Sequence, residues 1–256
     1  MLHVVMTSTG LSSVIVLDMI QRKYGRENTV ALLTDTLWED DDNYRFLDET
    51  MRYLRANLIT VNDGRTPPDV WMKARFLVGA GGSPCTTKLK IEQTRKFINN
   101  NPNQEMTLYF GINADEDHRT YALENRYGAM GVKTEFPLCE EPMHHLQMVD
   151  LVEKEWGIKV PRMYKLGFHH ANCGGRCVKA GAEHYRLLLN VWPDRFKEIE
   201  EIEKKFQGIV GKDITILRVK VSGEEIKYPL WKLREDNSQN IKLNFCNSET
   251  PCECMY

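Results

Sequence analysis

Three groups of residues in this chain have the types and spacing for chemistry. The first is a hydroxyl-rich turn, Thr7-Ser8-Thr9-Gly10-Leu11-Ser12-Ser13. A short apolar run, Leu2 to Met6, precedes it, and Val14, Val16, Leu17, Met19 and Ile20 follow at helical spacing. Such a turn gathers backbone N–H groups and hydroxyls at the positive end of a helix, which suits phosphate or pyrophosphate. The same residues also fit an ordinary Ser/Thr cap on the first helix of an α/β domain. The second group is Asp35-Thr36, a carboxylate and a hydroxyl at the end of the apolar run Thr29 to Thr34, where open α/β sheets bind ligands. The third is cysteine: Cys85 after a glycine-rich loop, Cys173 and Cys177 around Gly-Gly-Arg, and Cys246, Cys252 and Cys254 in the tail.

Two thiols bracketing Gly174-Gly175-Arg176 can point at one metal, because glycine lets the backbone wrap closely around an ion. Thr86 or Thr87 is placed to cap a helix, setting Cys85 near its positive end beside Lys88 and Lys90, surroundings that favour thiolate. An inert buried thiol is the alternative at Cys85. Glu116 and Arg119, three apart, share one helix face and either pair structurally or line the strand-end crevice. The acidic run Glu39-Asp40-Asp41-Asp42 is read as complementing a helix dipole.

Positioning these groups requires a sheet. Strands are expected at Leu2–Met6, Thr29–Thr34, Leu58–Val61, Met106–Ile112 and Lys133–Leu138, with helices between them. That alternation predicts a five-stranded, mostly parallel sheet covered by helices on both faces. A smaller, helical, cysteine-containing C-terminal part follows, with the boundary at residues 160/161. It has helices around 183–190 and 194–206, and a short strand within 214–221. At 256 residues the chain is long enough for a main domain plus an appendage.

Composition bounds the function classes. With 42% hydrophobic and 27% charged residues the chain has the make-up of a globular protein. The formal charge of −2 argues against a large electrostatic grip on nucleic acid. No run of about 18 apolar residues is present, so no membrane partner is expected. The opening lacks a basic leader, so no signal peptide is expected. Seven unevenly placed cysteines fit a reducing compartment with a metal or redox site, hence the cytoplasm.

Ser8-Thr9-Gly10-Leu11-Ser12-Ser13 resembles the PP-loop of the adenine nucleotide α-hydrolase superfamily, usually S-G-G-x-D-S. Thr9 stands for a glycine and Ser12 for the aspartate, a position that would serve a magnesium site. Asp35-Thr36 and the run Gly111-Ile112-Asn113-Ala114-Asp115-Glu116-Asp117-His118-Arg119 are similar to elements of the phosphoadenosine phosphosulfate (PAPS) reductase branch. The likeness continues through Cys85-Thr86-Thr87-Lys88-Leu89-Lys90 and residues 167–181, over roughly the first 205 residues. In its second half it resembles iron–sulfur relatives, among them the DNA phosphorothioation sulfurtransferase subunit and phage-borne proteins.

This resemblance implies ATP or PAPS across the strand ends, with phosphates at Ser8, Thr9, Gly10, Ser12 and Ser13. It implies ribose or adenine by Asp35 and Thr36, and Glu116 and Arg119 near the phosphates or the second substrate. It implies a 4Fe–4S cluster on Cys85, Cys173, Cys177 and either Cys252 or Cys254. Zinc is the competing metal, with His169, His170 and His184 nearby. Three functions follow. One is ATP-dependent adenylation coupled to sulfur transfer, onto a nucleic-acid or small-molecule acceptor, with a sulfur donor protein. Another is PAPS or adenosine phosphosulfate reduction by a Cys254 nucleophile, with a thiol electron donor such as thioredoxin. The third is an adenine-nucleotide-binding module without turnover. Oligomeric state is not specified by these residues.

Overall fold

Leu2–Thr7 forms β1 at the centre of the sheet, and its alternation sends neighbouring side chains to opposite faces. Val5 enters one apolar cluster while Val4 and Met6 enter another. In this computed structural model, which describes residues 1–79, 82–221 and 224–238, β1 leads through α1 (Leu11–Tyr24) to β2 (Thr29–Asp35) and α2 (Asp41–Leu54). Next come β3 (Asn57–Asn62), α3 (Pro67–Ala74), a π-helical turn Thr86–Ile91 running into α4 (Glu92–Asn99), and β4 (Met106–Tyr109). A 3₁₀ turn, Ala114–Arg119, precedes α5 (Thr120–Gly128), β5 (Lys133–Glu135), α6 (Pro137–Glu140) and α7 (His145–Asp150).

The strands order as β3-β2-β1-β4-β5, every neighbouring pair parallel. Ala31 and Leu33 of β2 join Val5 under α1, α2 and α7, while Val30 and Leu32 join Val4 and Met6 under α4 and α5. The five-stranded parallel sheet with helices on both faces is therefore as expected. β5 is shorter than the expected Lys133–Leu138, because Pro137 takes the first turn of α6 instead of extending the strand.

The chain continues through α8 (Arg162–Lys165), a 3₁₀ turn Asn172–Gly175, α9 (Ala182–Val191) and α10 (Pro193–Val210). An antiparallel pair, β6 (Leu217–Val221) with β7 (Glu224–Tyr228), and α11 (Leu230–Ser238) complete the described part. A third apolar cluster joins Trp38, Val70, Trp71, Leu77, Cys85 and Leu89 to Cys173, Cys177, Tyr185, Phe196 and Leu230. It is built from segments on both sides of residue 160. No helix among the described residues is long and apolar enough to cross a membrane.

Glu203 of α10 is 2% exposed and accepts the amides of Ile216 (2.7 Å) and Leu230 (2.8 Å), so it fastens the approaches to β6 and α11. Burial pushes its carboxyl up to about 7, against the pull of those two amides. Because the folded value is raised, the native state keeps a proton that the unfolded chain releases, and stability falls as pH rises between about 4.5 and 7. The expected loss is up to about 3 kcal/mol. Denaturant unfolding across that window should show a shallower pH slope in Glu203→Gln; equal slopes would show that the carboxyl does not titrate there.

Candidate functional site

The hydroxyl turn folds on itself. Ser13 Oγ accepts the Ser8 amide at 3.0 Å and lies 3.1 Å from Ser8 Oγ and from the Gly10 carbonyl. Ser8 Oγ in turn accepts the Gly10 amide at 3.2 Å. Ser13, 1% exposed, thus closes the loop from within. Gly10 caps α1 without a side-chain hydrogen bond, and the first-turn amides of Ser12 and Ser13 have no intrahelical acceptor. Ser12 Oγ turns to Met148 Sδ of α7, 3.9 Å away. Ser12 therefore brings no carboxylate to the loop, and its hydroxyl is directed to Met148.

A small cleft opens to solvent beside this loop. Ser8 and Thr9 line it from the turn after β1, Thr34, Asp35 and Thr36 from the end of β2 and just beyond it, Lys90 from the π-helical turn, Glu39, and Asn172 from the cysteine turn. Asp35 is held by the Leu37 amide at 2.9 Å and the Tyr44 hydroxyl at 2.6 Å, both on Oδ1. Lys90 is only 8% exposed, and its charge acts on Glu39. Burial raises the Glu39 carboxyl above its ordinary value, opposed by Lys90, the Cys173 amide and the Thr36 hydroxyl. Asn172 Nδ2 is buried without a partner among the described residues.

The residues joining the sheet to the cysteine turn come from the β2–α2 connection. Glu39 accepts from Thr36 Oγ1 at 3.1 Å and from the Cys173 amide. Asn43 donates to Thr9 Oγ1 (3.3 Å) and the Ala171 carbonyl (2.5 Å). Asp40, fully buried, caps α2 through the Asp42 amide and pairs with Arg162 (2.8 Å) and Arg195 (2.5 Å). Arg195 also reaches the Gly174 carbonyl at 3.3 Å. Arg176 donates to the Trp38 and Cys173 carbonyls and stacks its guanidinium 4.1 Å from the Trp38 ring. Cys173 and Gly174 adopt left-handed backbone (φ 53° and 55°), a turn that aims successive amides inward.

Cys85, Cys173 and Cys177 are 7%, 6% and 6% exposed, share one apolar cluster and form no disulfide. Cys85 lies in a helical turn that begins at Pro84, with Ser83 Oγ 3.1 Å from its sulfur, so neither Thr86 nor Thr87 caps that helix. Among the described residues no three His, Cys, Asp or Glu side chains converge into a metal-ligand group. Cys252 and Cys254 lie outside the described residues. The described thiols by themselves therefore do not make an iron–sulfur or zinc site. His184 is accounted for differently: burial lowers it to about 4, and its Nε2 donates to the Gly175 carbonyl at 2.8 Å.

No family model matches this chain, and no curated protein matches it significantly. Among solved structures it is distantly similar to phosphoadenylyl-sulfate (PAPS) reductase from Candida auris in a phosphate complex. The identity is 14%, the match covers 66% of this chain and 80% of that one, and the TM-score is 0.44.

Glu116 and Arg119 are not among the residues that line the cleft. They form a buried ion pair at 2.5 Å, and their charges act on His170. The chain enters this region at Gly111, where an added Cβ would lie 2.8 Å from the backbone of Ser12. Of the cleft residues, Glu39, Lys90 and Asn172 were not singled out from sequence as ligand contacts. Lys90 carried the clearest signal, a lysine flanked by the apolar Leu89 and Ile91, both buried with it.

Proposed function

We propose that this protein is an adenine-nucleotide-binding enzyme of the PP-loop type that couples nucleotide activation to sulfur chemistry at its cysteine turn. The observation that carries this reading is the single cleft bordered by Ser8 and Thr9, by Asp35 and Thr36, and by Asn172, the neighbour of Cys173. Phosphates lie at the Gly10 turn, where first-turn amides and the α1 dipole meet negative charge. Ribose or adenine lies against Asp35 and Thr36. An acceptor oxygen attacks the α-phosphorus and releases pyrophosphate, and a sulfur nucleophile then displaces AMP. Lys90 and the loop amides stabilise charge developing on the phosphate oxygens, and the Glu116–Arg119 pair faces the second substrate.

The sulfur-bearing element in this reading is the group of thiols Cys85, Cys173 and Cys177. An iron–sulfur cluster there needs a fourth thiolate from Cys252 or Cys254. PAPS reduction by Cys254 likewise rests on a residue outside the described ones. Binding without turnover is the second reading, favoured by Ser12 turning to Met148 where a motif carboxylate would serve magnesium.

Calorimetry with ATP, joined to ³¹P detection of AMP and pyrophosphate, separates the readings. ATP should bind, and Asp35→Asn, which keeps an acceptor for Leu37 and Tyr44, should bind it roughly tenfold more weakly. Unchanged affinity in that variant, or no ATP binding by the wild type, removes the proposal. Tight binding with no AMP, tested with a persulfide donor present, favours the module.

A further inference from the structure

Tyr164 of α8 reaches the hydroxyl turn from the C-terminal half of the chain, wedged between two apolar clusters. Its phenol oxygen accepts the Leu11 amide at 3.4 Å. It also stands 3.1 Å from where a Cβ on Gly10 would be, with Ser8 Oγ 3.4 Å from the same point. The missing side chain of Gly10 thus lets two hydroxyls close on the turn. The His145 ring packs edge-on against the tyrosine, centroids 5.0 Å apart, and fixes its plane.

A phenol has one hydrogen to give as well as lone pairs to accept with. Here the oxygen accepts from Leu11, and among the described residues no acceptor takes its proton. Burial pushes the phenol up to about 12, against the pull of the Leu11 amide, so the proton is present at neutral pH. An O–H lacking an acceptor, at the positive end of a helix, calls for an anionic oxygen.

We propose that Tyr164 is a phosphate-binding residue, donating its O–H to an oxygen of the phosphate seated at Gly10. The phosphate site is then assembled from both parts of the chain: amides from the β1–α1 turn and a phenol from α8. This rests on the nucleotide reading above for the identity of the ligand, but the chemistry it requires is only that of a phosphate or pyrophosphate group.

The test compares wild type and Tyr164→Phe with three probes: ATP, inorganic pyrophosphate and adenosine. Calorimetry measures the first two and ligand-observed NMR the third, with thermal melts confirming that both proteins are folded. Losing a hydrogen bond to a charged group should weaken ATP and pyrophosphate by roughly tenfold or more and leave adenosine unchanged. Equal pyrophosphate and ATP affinities in the two proteins overturn the proposal, as does a parallel loss of adenosine, which would mark a structural role. Wild type that binds pyrophosphate but not ATP removes the adenine reading and leaves Tyr164 to be decided by pyrophosphate alone. Wild type that binds neither overturns both.

Discussion

Asp40→Ala is expected to destabilise the protein by about 3 to 4 kcal/mol, with the unfolding midpoint falling by about 10 °C. The carboxylate is fully buried and meets two guanidinium groups, Arg162 by a two-point contact at 2.9 and 2.8 Å and Arg195 at 2.5 Å. Removing one partner of a buried pair strands the other charge, which costs about 3 to 5 kcal/mol. The side chains of Arg162 and Arg195 are 47% and 23% exposed. They regain water, which places this contribution at the low end. Loss of the α2 cap adds about 1 kcal/mol, and Asp40→Asn, which retains an acceptor for Asp42, should recover that part.

Burial opposes ionisation of Asp40, but its hydrogen bonds to Arg162 and Arg195 outweigh it and hold the carboxyl below its ordinary value. For a depressed carboxyl the stabilisation is complete above the unfolded pKa, about 3.9, and disappears as pH falls through the folded value. The gap between wild type and Asp40→Ala should therefore be full at pH 7 and shrink toward pH 3. A gap that is constant with pH would mean the charge contributes nothing. Because Arg195 also holds the Gly174 carbonyl, and both arginines pack on Trp192, the near-ultraviolet signal of that tryptophan should change in the same variant.

This network shows where sequence reading stops. The alternation of Val4 and Met6 against Val5, and the stripe from Val14 to Ile20, are local patterns of burial, and both elements form where those patterns lie. Asp40 also looks local, one acid in a run that suits a helix dipole, and Asp41 and Asp42 do occupy the first turn of α2. Its guanidinium partners lie on α8 and α10, Arg162 at a separation of 122 residues. Nothing in the period or composition of either segment marks such a pairing. Glu39 and Asn43 escape for the same reason, since their roles depend on where Cys173 and Ala171 arrive. The tight turn at Cys173 was legible because left-handed backbone leaves a local signature in Gly174 and Gly175. Ser13 was legible as a loop residue, but its engagement with Ser8 and Gly10 depends on how tightly the loop closes, which hydroxyl content does not specify.

The sharpest contrast is expected between two glycines at the same loop. Gly111→Ala puts a methyl 2.8 Å from Ser12 C, 2.9 Å from Ser13 N and 3.0 Å from Ser12 O, all backbone atoms of the first turn of α1. Backbone cannot rotate away, so the segment after β4 must shift from α1 at a cost of about 2 to 4 kcal/mol, beyond ordinary overpacking. The shift displaces the Ser13 amide, and phosphate affinity should fall with stability. At Gly10, where φ is −110°, the methyl meets only the ends of Tyr164 and Ser8, 3.1 and 3.4 Å away. Ser8 can rotate away, and the packed Tyr164 phenol needs to give by only a few tenths of an ångström, so Gly10→Ala should cost about 1 kcal/mol, less than Gly111→Ala. It should still push the Tyr164 hydroxyl off the turn and cover the amides beside it, and so abolish pyrophosphate binding. Melts and pyrophosphate titrations on both variants check this: a Gly10→Ala protein that binds pyrophosphate normally would show that the ligand does not enter at this turn. An unperturbed melt for Gly111→Ala would show that the segment after β4 and α1 are not packed backbone to backbone.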